Sequence, residues 1–184
     1  KKASPIIADE IIKLLRVLNI PSASLEVIVS STDLFLEEGN DDVNFLFTAN
    51  KGVKPQALSK VASGGEMSRV MLALKAIMAR KNNLPTIIFD EIDTGVSGET
   101  AGLIGQILME MGTRMQVVAI SHLPQIAAVG AVHYKVEKFI KDESTITSIH
   151  KLDNEARLHE IARLLSGEQV TAAAIENAKS LLYS

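Results

Sequence analysis

ASGGEMSR, from Ala62 to Arg69, joins a pair of glycines to a sequence that starts a helix. Ser63 stands three residues before Glu66. At that spacing each side chain can satisfy a free backbone N–H of the first helical turn. Alone, this makes a well-capped helix and nothing more. Gly64 and Gly65 add backbone with no Cβ at the positive end of the helix dipole, where amides can approach a phosphate closely. The helix is expected to run to about Arg80, with Val70, Leu74, Ile77 and Met78 on one side, and to stop at Asn82 and Asn83.

Downstream, Leu84–Phe89 is a short apolar run of the kind buried inside a parallel sheet. It ends in Asp90 and Glu91, and in open α/β sheets ligands bind at the carboxyl ends of strands. Adjacent side chains on an extended segment point opposite ways, which suits two separate roles. Asp90 would hold Mg²⁺ through water, and Glu91 would polarise an attacking water as general base. The plainer alternative is an acidic strand end facing solvent; the surrounding motifs favour the functional reading. Two glycines in Asp93–Gly98 allow a tight turn, and Ser97 can cap the helix expected over Ser97–Met111. A second buried strand, Gln116–Ile120, is closed by His122, and Pro124 opens a short helix where its missing N–H costs nothing. His133, His150 and His159 fall in tail patterns and read as surface or packing residues, without metal-ligand spacing.

Upstream, Ile7, Ile11, Leu14, Leu15 and Leu18 recur at helical spacing after Pro5, and the helix stops before Pro21. Ala23–Val29 alternates as a strand, Glu37–Asp42 reads as a turn, and Val43–Thr48 as the partner strand of a hairpin. Asn50–Pro55 reads as a loop. After Pro124, Val132–Lys138 and Thr145–Leu152 pair through a Lys141–Ser144 turn. Two helices, Asn154–Leu165 and Gln169–Leu182, close the chain around Gly167. Helices alternating with buried strands indicate an α/β fold.

The 184 residues suffice for one well-buried core rather than two full domains. A hydrophobic content of 47% excludes a disordered chain, and scarce aromatics make the core aliphatic. The absence of cysteine excludes disulfides and thiolate metal sites and suits a reducing compartment. No apolar run has the length of a membrane span, so no membrane partner is expected. A net charge of −3 carries no broad electrostatic footprint for DNA. No GxxxxGK[ST] phosphate loop occurs, and no initiator Met opens the chain. The expectation is therefore a piece of a longer protein, with the phosphate loop on an N-terminal segment and negligible ATPase activity for this chain alone.

The order ASGGEMSR, TIIFDE (Thr86–Glu91) and AISH (Ala119–His122) resembles the C-terminal half of an ABC-type ATPase head: signature loop, Walker B strand, switch histidine. Departures from the transporter pattern narrow the resemblance. Met67-Ser68-Arg69 replaces the usual Gln-x-Gln-Arg, and Asp90-Glu91 is not followed by proline. Together with FDEIDTGVSG (Phe89–Gly98), ISHLPQIAA (Ile120–Ala128), NFLFTANKG (Asn44–Gly52) and EIARLLSG (Glu160–Gly167), the chain resembles the RecN family of bacterial SMC-like repair ATPases. Met67 stands where that family usually has Leu.

The resemblance implies the C-terminal part of a P-loop NTPase head, α/β with a mostly parallel sheet, flanking helices and β-hairpins. Residues 1–20 would be the helix returning from a coiled coil and 21–184 the head portion. It implies ATP and Mg²⁺ as ligands and Glu91 and His122 as catalytic groups. His122 would contact the γ-phosphate or the attacking water. Asp90 would be the Mg²⁺ residue, and Ser63, Gly64, Gly65 and Glu66 would reach the γ-phosphate held by a second head. Asp93, Thr94, Gly95, Val96 and Ser97 occupy the D-loop, where Ser97 replaces a terminal aspartate whose role passes to no residue here. The implied partners are its own N-terminal head half, a second head in a homodimer, and DNA through the full-length protein. The implied setting is the bacterial cytoplasm at the nucleoid, in recombinational repair of double-strand breaks. Another SMC or Rad50-like head, a transporter subunit, or a non-catalytic assembly module are the competing readings.

Overall fold

The computed structural model describes residues 2–37, 39–60, 64–96, 98–141 and 144–183, the side chains of Leu36 and Lys141 excepted. The chain opens with α1 (Ser4–Val17), whose proline lies in the first turn. A hairpin of β1 (Ser24–Leu36) and β2 (Gly39–Thr48) follows, and β3 (Gln56–Ala57) adds a short third antiparallel strand. Both hairpin strands exceed expectation. Asp41 and Asp42 lie in β2 rather than in a turn, paired with Ser31 and Ser30, and the register shifts between Ser31 and Leu36. Their side chains stand in solvent, so alternation had no burial to reveal it.

Helix α2 (Gly64–Asn82) is the spine of the molecule. One side, Val70 and Ala73, packs with Ile11, Leu15, Leu25 and Phe47 of α1 and the hairpin. The other, Leu72, Ala76 and Ala79, packs with Phe89, Ile104 and Leu108. Alanines at 73, 76 and 79 let neighbouring elements come close on both sides. The buried arc therefore differs from the one expected: Met78 is 56% exposed. Asn83, with φ of 49°, takes the chain out of the helix in a left-handed turn.

The unit β4 (Thr86–Phe89), α3 (Gly98–Gly112), β5 (Gln116–Ala119) is a parallel crossover, with Thr86 opposite Gln116 and Phe89 opposite Ala119. Ile87 and Val117 pack toward the core shared with α3, while Ile88 (60%) and Val118 (41%) are exposed. Successive strand residues face opposite ways, so α2 and α3 cover one face and leave the other open. These strands are thus half-buried, where burial on both faces was expected.

Helix α4 (Pro124–Val129) leads into the antiparallel pair β6 (Tyr134–Lys141) and β7 (Ser144–Lys151). Gly105 of α3 lets α4 approach, since a Cβ there would lie 3.1 Å from the Gln125 carbonyl oxygen. Helices α5 (Asn154–Ser166) and α6 (Ala172–Tyr183) bury Ile161, Ala162, Ala174 and Ala178 with Ala128 of α4. Asp153 caps α5 by accepting from the Ala156 amide at 2.8 Å, and Gly167 ends it at φ of 76°. The fold class is the α/β arrangement with hairpins that was expected. Its parallel part is narrower than expected: among the described residues one parallel pair stands beside two antiparallel sheets. Parallel pairing needs a crossover connection, and the pair with one here is β4-α3-β5.

Candidate functional site

Beyond Phe89 the chain leaves the sheet. Ile92 is buried at 5% and anchors a turn in which Asp90 and Glu91 are exposed. The Thr94 amide and hydroxyl both donate to the Glu91 carbonyl, at 3.2 and 3.1 Å, and the Val96 amide donates to the Asp93 carbonyl at 3.1 Å. Glu91 has φ of 51°. A non-glycine residue in that region costs about 1–2 kcal/mol, and such strain gathers at functional sites. Asp90 and Glu91 are therefore separated by a backbone turn, rather than by the alternation of an extended strand.

Asp93 is buried at 3% and lies at the centre of the arrangement. Its Oδ2 accepts from the Ser121 hydroxyl at 2.6 Å and from the His122 amide at 2.8 Å, and lies 3.0 Å from His122 Nδ1. Ser121 Oγ in turn accepts from the Leu123 amide at 3.1 Å. Burial alone raises a carboxyl. The Ser121 hydroxyl, the His122 amide, its own backbone amide and the imidazole outweigh burial, so Asp93 stays below its ordinary 3.8. Sequence reading assigned Asp93 to a loop and gave Ser121 no part. The signal was an acid four residues beyond one strand and a Ser-His pair beyond the next, which only a parallel pairing brings together.

The glycines of the helix start divide their work. A Cβ on Gly64 would meet nothing within 4 Å, whereas one on Gly65 would lie 2.4 Å from the Gly95 carbonyl oxygen. Gly95 has φ of 69°, and a Cβ there would lie 2.9 Å from the Gly65 nitrogen. Of the two, Gly64 is exposed and open to a ligand; Gly65 is buried because the Asp93–Val96 turn packs on it. A side chain would have room at Gly64 and none at Gly65. Arg69, one turn on, donates to the Gly65 carbonyl at 2.9 Å and to the Leu18 carbonyl at 3.1 Å, tying the start of α2 to the end of α1. Glu66 and Arg69 line a cleft of about 240 Å³ with Asn19, Asn50 and Lys51, apart from Asp90, Glu91 and His122. Ser63 and Ser97 lie outside the described residues.

Among the described residues no group of three His, Asp or Glu could hold a metal ion. Mg²⁺ binds through one or two carboxylates plus water and substrate phosphates, so an exposed Asp90 fits it only alongside a nucleotide. Among the same residues no helix is long and apolar enough to cross a membrane.

No family model matches the chain. It is 46% identical over 146 residues to DNA repair protein RecN of Vibrio cholerae, covering 79% of this chain and 26% of that protein. It is 44% identical over 146 residues to DNA repair protein RecN of Bacillus subtilis, covering 79% and 25%. With the RecN of Rickettsia typhi it shares 40% over 169 residues, covering 92% and 30%. The chain thus spans between a quarter and a third of these relatives' length. In fold it is similar to the Smc head domain of Pyrococcus yayanosii, with a TM-score of 0.65 at 18% identity over 87% of this chain and 29% of that one. An SMC ATPase structure concerned with ATP-driven dimerisation matches with a TM-score of 0.59 at 15% identity, over 89% and 93%.

Proposed function

This chain belongs to the RecN family and has the fold of an SMC head, and on that premise we propose that it is the C-terminal part of an ATPase head acting in bacterial recombinational repair of DNA double-strand breaks. The observation that carries the reading is the junction of three separate segments. Gly65 packs on Gly95 at the start of α2, and Asp93 in the same turn holds Ser121 and His122 beyond β5.

Each group then has a task. Glu91, exposed at the sheet's carboxyl end, accepts a proton from the water that attacks the γ-phosphorus. His122 contacts the γ-phosphate or that water. Asp90 orients the hydration shell of Mg²⁺, an ion that neutralises phosphate charge when bound. Gly64, with Ser63, Gly65 and Glu66, serves the nucleotide of a second head, the exposed Gly64 amide at a helix N-terminus being suited to an anion. The N-terminal half of the head supplies the phosphate loop and pairs with this chain; two such heads form the ATP-bound homodimer in the cytoplasm, and the full-length protein engages DNA.

The test is ATP turnover after mixing this chain with the N-terminal half of its head, for the natural sequence and for Glu91→Gln. Turnover should appear only in the mixture and fall about 10²-fold or more with Gln, with ATP binding kept. Turnover by the chain alone, or an unchanged rate with Gln, would refute the proposal.

A further inference from the structure

His122 is a reactive side chain held at one end. Its side chain is 76% exposed, whereas the Asp93 side chain behind it is 2% exposed. Two donors converge on one Asp93 oxygen, the Ser121 hydroxyl and the His122 amide, and His122 Nδ1 lies 3.0 Å from the same oxygen. An ionised carboxylate only accepts, so at 3.0 Å a hydrogen on Nδ1 is the arrangement that avoids setting a ring lone pair against it. A neutral imidazole with hydrogen on Nδ1 has its lone pair on Nε2.

We propose that Asp93 is the positioning residue of His122: it fixes the Nδ1–H tautomer and leaves Nε2 as the working nitrogen toward the γ-phosphate or attacking water. The inference rests on the nucleotide reading of His122 given above. It goes beyond that reading by assigning the turn after Glu91 a second duty. Asp93 sits between Glu91 and Gly95, so the backbone turn that presents the base also orients the histidine. The amide contact sets the His122 main chain, and the Nδ1 contact sets the ring. Losing the carboxylate charge while keeping the side-chain shape should therefore disturb the ring more than the fold.

The experiment uses the full-length RecN protein carrying this segment, labelled with ¹⁵N at histidine, with magic-angle-spinning NMR as the tautomer readout. The His122 signals are those lost in His122→Gln. The unaltered protein should show His122 as Nδ1–H, and Asp93→Asn should shift it toward Nε2–H. ATP turnover in Asp93→Asn should fall about 10²-fold or more, as when a triad carboxylate is neutralised. In a His122→Gln background the same change should add no further loss, because the two residues act as a unit. An Nε2–H ring in the unaltered protein overturns the inference whether or not Asp93→Asn folds. So does a loss from Asp93→Asn that multiplies the loss from His122→Gln. Normal turnover by His122→Gln, with Glu91→Gln inactive, overturns the nucleotide role of His122 and the inference with it. Lost turnover in His122→Gln with an Nε2–H ring overturns the inference alone.

Discussion

Exchanging each of the two glycines at the start of α2 for alanine should separate stability from activity. The perturbation is one methyl group in both cases, and neither position has a positive φ, so alanine is sterically allowed in both backbones. In Gly65→Ala the new carbon would lie 2.4 Å from the Gly95 carbonyl oxygen, about 1 Å short of the 3.4 Å at which ordinary contact begins. The obstructing atom is backbone, and Gly95 itself at φ of 69° has little freedom to retreat. Either α2 or the Asp93–Val96 turn must move, and overpacking of this kind costs about 1–3 kcal/mol. In Gly64→Ala the methyl meets nothing within 4 Å. Alanine also has the better helix propensity, so stability should be unchanged or slightly higher. Urea unfolding of the chain measures both. In the mixture with the N-terminal half of the head, Gly64→Ala should nonetheless lower ATP turnover, because its methyl stands where a phosphate would approach. If Gly65→Ala unfolds within 0.5 kcal/mol of the natural chain, to take an order-of-magnitude threshold for harmless substitutions, the close contact of the two segments is refuted. If Gly64→Ala is as destabilised as Gly65→Ala, the division of labour between them is refuted.

Glu91→Gly should raise stability by up to about 1 kcal/mol, since the φ of 51° ceases to be strained, while turnover is lost with the carboxylate. A destabilised Glu91→Gly in urea would show that Glu91 adopts this conformation without cost. His133 has its Nδ1 buried without a hydrogen-bond partner. Burial first and the Arg157 charge second hold its pKa below the ordinary 6.5, with Glu160 opposing them. Below pH 6.5 the unfolded chain takes up a proton that the folded ring refuses, so stability should decline as pH falls through that window and return as it rises. His133→Phe should flatten this slope in urea midpoints measured between about pH 7 and 5; an equal slope in both proteins would contradict the assignment.

Local periodicity and end signals were enough to locate the six α-helices of the described residues, but not the single 3-10 turn at Leu58–Lys60. Pro5, Pro124 and Gly167 mark helix boundaries by effects confined to a turn or less. The hairpin lengths were not legible, because Asp33, Asp41 and Asp42 lie in strands that bury little of their surface and so show no alternation. The buried arc of α2 was misjudged for a related reason. Its large residues suggested one apolar face, whereas the helix is wedged between two clusters that need small residues at 73, 76 and 79.

The site divides along the same line. Glycines before a capped helix, paired acids after an apolar run and a histidine after the next run are chemical types in a fixed order, and residue type and order are properties of the chain itself. Sequence alone therefore nominated Gly64 and Gly65 together, Asp90, Glu91 and His122. Which of the two glycines is exposed, why Glu91 turns away from Asp90, and what holds His122 depended on distances between segments far apart in the chain. Gly65 and Gly95 meet across thirty positions, and Asp93 reaches His122 across twenty-nine. Parallel pairing of β4 and β5 brings the turn after Glu91 beside Ser121 and His122, and the packing of α2 sets Gly65 against Gly95. Those contacts are decided by burial of faces contributed by several elements at once, a quantity no single stretch of sequence contains.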